Sequence, residues 1–466
     1  MKIEIPFGEK GISVDLPEGV DVLKMEEPDR LPDVKASIAN ALKNPINTPS
    51  LLEIAKDKLQ KAKEAGKDPT ACIVVSDNTR PVPYAGEDGL LKPIISTLLE
   101  AGYYYHQICV LIACGTHRRM EGHEISKMIG EDIFKCGIRT LNHDCRDEES
   151  LVEIGVTERG TRVKINKNYA NADLKILTGL VESHFMAGAS GGRKSICPGI
   201  FGEEGTYVFH GPRLMAHPNS RDLVLTGNPV HEESYSVAKM AGVDFIANVT
   251  LNNKFEVVGV FCGDLLDAHR AAVMHLKSYV TIPIESRYDF VITHGGFVAI
   301  NHYQSAKAAV ASINAVKPGG TILQVANNND VNAVGSDRYR LTLSLLKYLG
   351  VEKFEKLLFS DDWTFIPDQW QVQLWGRVFK HTDMSNYIYY APQLDSKDWR
   401  DIPGINGTQY LSGKEKTDEE KIATVVKKAL CEYLEKKGLT EDDIKNGKCK
   451  VAFLSEGPYG IPMVRQ

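Results

Sequence analysis

The sequence has few of the features that mark membrane, extracellular or nucleic-acid-binding proteins. It has no apolar run of the roughly 20 residues that a membrane-spanning helix needs. Its nine cysteines include no CxxC pair, and the formal net charge is only −6 over 466 residues. These absences argue against a zinc ribbon, a disulfide scaffold, a nucleic-acid partner and binding to a membrane. We expect a cytoplasmic protein whose cysteines stay reduced.

The composition is that of a globular protein, with 43% hydrophobic and 25% charged residues. Short β-branched apolar runs at residues 71–75, 108–113 and 174–178 alternate with helical segments. This alternation is typical of a mainly parallel sheet flanked by helices. We therefore predict an α/β protein with two α/β domains and mainly parallel sheets.

The strand and helix pattern restarts near residue 281, which sets the predicted domain boundary. We predict an N-terminal domain over residues 1–280 and a C-terminal domain over residues 281–449. The final segment, residues 450–466, begins with one more buried strand that could return to the first domain. No short-period repeat or low-complexity linker separates the two domains.

Several local elements can be predicted with their ends. A helix capped by Thr48 runs to Gly66, a second covers residues 87–102, and a charged amphipathic helix covers residues 418–437. The first residues alternate apolar and polar around residues 8–11, which predicts a β-hairpin rather than a signal peptide.

Polar loops follow the three predicted strands of the first domain. Asp77 and Arg80 follow the first strand, His117 follows the second and His184 follows the third. Ligands bind at the carboxyl ends of strands in such sheets, so we expect these loops along one edge. The ordinary alternatives are a turn cap for Asp77 and a surface ion pair for Arg80. Two histidines facing a common cleft could serve as an acid and base pair.

The most distinctive stretch is GASGGRKS at residues 188–195, which ends a glycine-rich loop with Lys194. Such a loop could cradle a phosphate or hold a cofactor, while a tight turn with a solvated lysine is the ordinary alternative. A Walker A site needs glycine directly before the lysine, and Arg193 stands there. His210 has apolar neighbours and is either a core residue or a metal ligand. The histidines lack HExxH spacing, which argues against a zinc hydrolase.

Six short motifs follow one another along the chain: DNTRP at 77–81, GTHR at 115–118, GLVESH through SGGRKSICPGI at 179–200, His210, GNPVHEE at 227–233 and YQSAK at 303–307. Together they resemble the nickel-dependent lactate racemase family of 2-hydroxyacid racemases and epimerases. Six motifs in the family's order are far more specific than any one of them. The resemblance implies two α/β domains with the active site in the cleft between them.

The resemblance also implies a cofactor. Lys194 would carry a nickel pincer nucleotide, a pyridinium-3-thioamide-5-thiocarboxylic acid mononucleotide that holds nickel through two sulfurs and a carbon. His210 would supply the remaining nickel ligand. Asp77, Tyr303 and Gln304 would help to position the cofactor and the substrate. The glycines before Lys194 are then interpreted as clearance for a bulky tethered group.

The implied activity is racemisation or epimerisation of a 2-hydroxyacid by proton-coupled hydride transfer. His117 and His184 would lie on opposite faces of the substrate, each able to take the hydroxyl proton of one enantiomer. Arg80 and Lys307 would hold the carboxylate. The implied partners are the small-molecule 2-hydroxyacid and the proteins that assemble the nickel pincer cofactor, and a homo-oligomer is compatible with the sequence.

Two positions depart from the family pattern. Ala189 stands where an aromatic residue is expected, and an asparagine run at 327–329 follows a predicted strand where acidic and glycine residues are usual. Both changes favour a longer or more polar substrate than lactate, such as a sugar acid or malate. Two other functions stay open: a cofactor-free racemase that uses the two histidines directly, and a non-catalytic nucleotide-binding or cofactor-binding protein.

Overall fold

The computed structural model describes residues 1–465, which fold into two compact units. The middle unit spans Glu27–Ser278. The flanking unit combines Met1–Glu26 with the residues from Tyr279 onward. The predicted first domain over residues 1–280 therefore needs correction, because its first 26 residues fold with the C-terminal part of the chain.

Strands and helices alternate along most of the chain. The strands are β1 Lys2–Phe7, β2 Lys10–Asp15, β3 Asp21–Leu23, β4 Ala71–Ser76, β5 Ile108–Ala113, β6 Arg139–Asn142, β7 Leu151–Val156, β8 Arg162–Asn166, β9 Leu174–Leu180, β10 Ser183–His184, β11 Gly188–Ala189, β12 Phe245–Leu251, β13 Val257–Gly263, β14 Thr281–Ile284, β15 Tyr288–His294, β16 Val316–Val325, β17 Tyr387–Tyr390, β18 Ile405–Asn406, β19 Val451–Leu454 and β20 Ile461–Val464. The helices are α1 Val34–Lys43, α2 Leu51–Glu64, α3 Leu91–Ala101, α4 Gly122–Ile129, α5 Glu131–Lys135, α6 Lys167–Ala170, α7 Glu203–Phe209, α8 Pro212–Met215, α9 Pro229–Ala241, α10 Asp267–Val280, α11 His302–Ser312, α12 Asp337–Leu349, α13 Val351–Leu358, α14 Gln369–Thr382, α15 Asp418–Lys437 and α16 Glu441–Lys445.

The middle unit is built on a six-stranded sheet with the strand order β13-β12-β9-β4-β5-β6. All neighbours are parallel except β12 and β13, which pair antiparallel. Strand β4, with the sequence ACIVVS, is buried along most of its length, as expected for a parallel strand covered on both faces. Because β9, β4 and β5 are consecutive neighbours, the loops at their carboxyl ends lie side by side.

The flanking unit has its own six-stranded parallel sheet, with the order β18-β17-β16-β15-β19-β3. Strand β19 pairs with β15 on one side and with β3 on the other. The prediction that the segment 450–466 could return to the first domain is therefore wrong, and β19 instead ties the two ends of the chain into one sheet. The predicted α/β class with mainly parallel sheets is confirmed in both units.

Local predictions succeed where capping signals are strong. The predicted N-terminal hairpin is present as β1 and β2. Helix α15 has its predicted ends, with Thr417 at its N-cap and Gly438 at its C-cap. Helix α2 starts two residues later than predicted, because Ser50 and Glu53 form a capping box that Thr48 does not. The helix expected from residue 87 begins at Leu91, after a turn.

The remaining general features concern cysteines and hydropathy. All nine cysteines are free thiols in the described residues. No helix within residues 1–465 is long and apolar enough to cross a membrane. Each unit has an apolar cluster beneath its sheet, and in the flanking unit the hairpin and α15 contribute to it.

Candidate active site

The loops after β4 and β5 are joined through Asp77 and His117. Oδ2 of Asp77 lies 2.7 Å from Nδ1 of His117, and its Oδ1 accepts hydrogen bonds from the hydroxyl (2.6 Å) and N–H (3.2 Å) of Thr79. Burial alone would raise the pKa of Asp77, but these hydrogen bonds lower it below its ordinary value. The carboxylate is thus ionised at neutral pH and orients a histidine whose side chain is 56% exposed.

Arg80, in the loop after β4, forms an ion pair with Glu182, which lies just beyond β9. Nη1 of Arg80 donates to Oε1 of Glu182, and both side chains are partly buried. Ser190 fixes the backbone of Glu182: the N–H of Glu182 donates to Oγ of Ser190 and its carbonyl accepts from the N–H of Ser190, both at 2.9 Å. A guanidinium has five N–H donors in a planar fork, so Arg80 retains capacity for a second carboxylate.

His184 lies in the short hairpin of β10 and β11 and is 8% exposed. Its Nδ1 accepts hydrogen bonds from the backbone N–H of Ala187 (3.2 Å) and of Met186 (3.4 Å). The ring of Phe185 stacks on it with a centroid separation of 4.9 Å. The imidazole is therefore oriented by its own turn, whereas His117 is oriented by a carboxylate.

The glycines before Lys194 are required by packing within the protein. Gly191 and Gly192 have φ of +73° and +51°, in the left-handed region that favours glycine. A Cβ on Gly191 would lie 2.6 Å from Cγ2 of Val181, and one on Gly192 would lie 2.8 Å from Cδ2 of His269. These two glycines are thus required by the packing of the protein's own atoms, and their interpretation as clearance for a bulky tethered group stays a prediction.

Arg193 braces this loop from within. It is 1% exposed, and its Nη2 donates to the carbonyls of Ala187 (2.8 Å) and Ala189 (2.9 Å). Its Nη1 lies 3.0 Å from Nε2 of His269. Burial lowers the pKa of Arg193 to about 9. Carbonyl dipoles surround this guanidinium, so its role is to hold the loop in shape.

Lys194 lies in a 3₁₀ turn over Gly192–Ser195 and is partly buried. Its Nζ is 5.2 Å from the ring centroid of Phe209. Burial, followed by the positive charges of Arg193 and Arg80, lowers the pKa of Lys194 to about 7. A large fraction of this amine is uncharged at neutral pH, the state in which an amine can act as a nucleophile.

His210 follows α7 directly and is 8% exposed, with its ring centroid 4.5 Å from that of Phe209. Burial and then the charge of Lys194 lower the pKa of His210 well below its ordinary value. A neutral imidazole is a good metal ligand. Within residues 1–465, no group of three or more His, Cys, Asp or Glu side chains could hold a metal ion.

The remaining predicted residues lie in the flanking unit. They share the first turns of α11 and are Tyr303, Gln304 and Lys307. Asn301 caps this helix, since its Oδ1 accepts from the backbone N–H of Gln304 at 2.9 Å. The hydroxyl of Tyr303 accepts a hydrogen bond of 2.9 Å from Nε1 of Trp370. Burial raises the pKa of Tyr303, so its phenol stays protonated.

Two of the positions that depart from the family pattern are enclosed by the protein. Ala189 is fully buried within the hairpin of β10 and β11. Asn328 is also fully buried: its Nδ2 donates to the carbonyl of Ala299 and its Oδ1 accepts from the hydroxyl of Tyr389, both at 2.8 Å. Asn329, in the same run, is exposed, so a substrate longer or more polar than lactate stays a prediction.

Three residues with clear roles in this geometry were not predicted. Glu182 could have been found, because it is a charged residue at the same strand end as His184. Arg193 was noticed only as the residue that breaks a Walker A motif, and its carbonyl partners have no sequence signal. Trp370 lies in an aromatic-rich segment. Its hydrogen bond to Tyr303 joins residues 67 positions apart, which no local pattern predicts.

Comparisons with known proteins agree with the resemblance. The family model of the lactate racemase N-terminal domain matches residues 7–222, and that of the C-terminal domain matches residues 285–397. The lactate racemase of Thermoanaerobacterium thermosaccharolyticum is 31% identical over 406 residues, which cover 83% of this chain and 89% of that protein. The lactate racemase of Lactiplantibacillus plantarum is 32% identical over 346 residues, 74% of this chain and 77% of that protein.

The fold agrees as well. The solved structure of the lactate racemase apoprotein from T. thermosaccharolyticum is similar with a TM-score of 0.81 and 27% identity, covering 100% of both chains. Sequence motifs, family models and fold all point to one group of proteins. The chain therefore belongs to the lactate racemase family and is an isomerase of the racemase type.

Proposed function

We propose that this protein inverts C2 of lactate, or of a similarly short 2-hydroxyacid, with a nickel pincer nucleotide attached to Lys194. The observation that carries the proposal is that Lys194 and His210 share one neighbour, the ring of Phe209. Both lie against the ring of Phe209, and burial holds both in their uncharged forms to an unusual degree. Two lactate racemases are 31% and 32% identical to this chain over most of its length.

The side chains present fit such a cofactor. An uncharged amine at Lys194 is the form needed to attach a group covalently. His210 offers one neutral nitrogen in a region where the described chain supplies no set of three ligands, which suits a metal already held by an organic pincer. When bound, the nickel pincer nucleotide would supply an acceptor for the C2 hydride, a capacity that no side chain has.

The chain's own residues would bind the substrate and move its proton. Arg80 is proposed to bind the carboxylate with the N–H groups that Glu182 does not use, and Lys307 is proposed for the same carboxylate. His117 is proposed to accept the 2-hydroxyl proton at Nε2, with Asp77 stabilising the imidazolium that forms. An ionised Asp77, buried beside it, favours that charge.

The proposed size of the substrate rests on the relatives, which are lactate racemases, and on two buried positions of this chain. The case for a sugar acid or malate rested on Ala189 and on the asparagine run. Ala189 is buried, and the side-chain amide of Asn328 is hydrogen-bonded to Ala299 and Tyr389. These facts support lactate as the first substrate to test.

The test is to produce the protein with and without nickel pincer assembly proteins, which we propose as its partners. We expect an added cofactor mass on Lys194, bound nickel and racemisation of D- and L-lactate only in the first preparation. Lys194→Ala should lose all three. Lys175→Ala is the matched control, because Lys175 is also a partly buried lysine of the middle unit with a lowered pKa.

Each other outcome identifies a different function. Wild-type protein made with the assembly proteins but carrying no added mass and no nickel would contradict the cofactor. Solvent hydrogen at C2 during turnover of C2-deuterated lactate would indicate a cofactor-free racemase, since hydride transfer retains deuterium. No reaction at C2 of lactate, gluconate or malate would indicate a non-catalytic binding protein.

A further inference from the structure

The two histidines of the candidate site have different hydrogen-bond partners at Nδ1. His117 is bonded through Nδ1 to the carboxylate of Asp77, and His184 is bonded through Nδ1 to backbone N–H groups of its own turn. We propose that the resting protein is asymmetric: His117 is the ready base, whereas His184 presents an Nε2–H hydrogen-bond donor until the turn at residues 184–187 opens.

The assignment of His117 follows from the chemistry of its partner. An ionised carboxylate can only accept hydrogen bonds, so Nδ1 of His117 must donate across the 2.7 Å to Asp77. In the neutral ring, Nε2 then carries the lone pair. When Nε2 takes a proton, the bond from Nδ1 to Asp77 is kept and becomes stronger. His117 can therefore accept and release a proton without any change in its surroundings.

His184 has the opposite constraint. A backbone N–H can only donate, so Nδ1 of His184 must hold a lone pair towards Ala187 and Met186, and the neutral ring carries its proton on Nε2. To accept a proton at Nε2, the ring must first become the tautomer with its proton on Nδ1. To release a proton from Nε2, the ring must first be the imidazolium, which also carries a proton on Nδ1. A proton on Nδ1 would point at the two backbone N–H groups that donate to this atom in the structure. The hydrogen bonds to the turn must therefore break first, and the stacked ring of Phe185 opposes that motion.

This asymmetry has a consequence for the reaction, and here the inference rests on the proposed function. The hydroxyl O–H bond breaks and its proton passes to Nε2 of His117. The nickel pincer nucleotide would accept the C2 hydrogen with its electron pair, which would leave C2 as the carbonyl carbon of a 2-oxoacid. The enantiomer whose hydroxyl faces His117 reacts from the resting state, whereas its mirror image waits for the turn of His184 to open.

The tautomers can be measured on purified protein without any cofactor. Histidine with ¹⁵N in the ring gives distinct long-range ¹⁵N–¹H correlation patterns for Nδ1–H and Nε2–H tautomers, and the variants His117→Gln and His184→Gln assign the signals. We expect Nδ1–H for His117 and Nε2–H for His184. Asp77→Leu should release His117 into a mixture of tautomers and leave His184 unchanged. An Nδ1–H pattern or a tautomer mixture at His184, or an Nε2–H pattern at His117, would overturn the inference.

The kinetic test uses the cofactor-loaded protein in a single turnover with D- or L-lactate, quenched at intervals to measure the 2-oxoacid. One enantiomer should yield it at least about tenfold faster than the other. His117→Gln should slow that faster step roughly 10²-fold to 10⁴-fold, the range for loss of a general base. His184→Gln keeps an N–H donor near the position of Nε2 and should slow it less than about tenfold.

The outcomes separate this inference from the proposed function. Equal rates for the two enantiomers in the unaltered protein, or equal losses in the two variants, would overturn the asymmetry. An absence of 2-oxoacid from both enantiomers in the loaded protein would count against the proposed function, and the tautomer measurement would still decide the asymmetry.

Discussion

The carboxyl edges of the two sheets share an architecture and differ in how they use polar residues. In the middle unit, side chains of the loops at this edge are bonded to one another, as Asp77 is to His117 and Arg80 is to Glu182. In the flanking unit, a histidine at this edge is bonded to backbone groups. His294, at the end of β15, has its Nε2 2.7 Å from the carbonyl of Ser455 and accepts at Nδ1 from the N–H of Gly296. The first arrangement can exchange protons, whereas the second maintains the shape of the loops.

Buried histidines show the same difference. In the flanking unit, His302 lies under aromatic rings and its Nδ1 is 2.8 Å from the hydroxyl of Tyr339, which also accepts from Nε1 of Trp375 at 2.8 Å. Burial lowers its pKa to about 3. His210 is also buried and neutral, but its neighbour is a partly buried lysine. Burial alone therefore does not distinguish the two histidines, whereas their neighbours do.

The largest expected effect comes from changing a carboxylate at the edge of the middle unit. Asp77→Asn removes the charge that stabilises protonated His117, so kcat of the loaded enzyme should fall roughly 10²-fold to 10⁴-fold with little change in KM. Asp395→Asn, after β17 of the flanking unit, is the control, because Oδ1 of Asp395 accepts from the backbone N–H groups of Lys397 and Asp398. It should leave kcat within about twofold. Steady-state racemisation of lactate measures both. Equal losses would remove the distinction between the two edges.

The next effect concerns Arg193, which holds the glycine loop through hydrogen bonds to its carbonyls. Arg193→Met keeps the bulk of the side chain but leaves the carbonyls of Ala187 and Ala189 without their donors. The free energy of unfolding should fall by about 2–4 kcal/mol. Urea denaturation measures it, with Arg162→Met, a surface residue paired to Glu153, as the control. A loss no larger than that of the control would show that the buried guanidinium does not stabilise the loop.

The pKa of Lys194 gives a smaller, pH-dependent effect. Acylation of its amine by a small reagent, followed by mass spectrometry of peptides, should rise about tenfold between pH 6 and 8 and then level off, as a group titrating near pH 7 does. Surface lysines should continue to rise above pH 9. Between pH 7 and 10, the Lys194 amine is protonated in the unfolded chain and mostly uncharged in the folded one. The free energy of unfolding should therefore rise with pH through that range. A rate that climbs steadily to pH 10 would contradict the lowered pKa.

The smallest effect lies in the aromatic network of the flanking unit. Tyr339→Phe removes the hydroxyl that bonds Trp375 and His302, so the free energy of unfolding should fall by about 1–3 kcal/mol. Racemisation per folded molecule should be unchanged, since the network supports the fold. Thermal denaturation and kinetics on the same sample measure both quantities. A fall in kcat comparable to that of Asp77→Asn would place catalysis in the flanking unit too.

Sequence patterns predicted those parts of the fold that depend on local signals. The apolar run of β4 and the capped helix α15 each carry their own pattern, and residues such as His117 follow strand ends that can be found without a structure. The pairing of β3 with β19 joins residues more than 400 positions apart and leaves no local trace. The opposite tautomers of His117 and His184 were equally hidden, because they depend on which atoms face Nδ1.

The pairing of β3 with β19 also sets the order in which a newly made chain can assemble. The middle unit is contiguous, so it can fold while the ribosome is still making the rest of the protein. Strand β3 must wait for a partner strand that lies more than 400 residues further along the chain. The loops of His117 and His184 therefore take shape before the unit that carries Lys307 is complete.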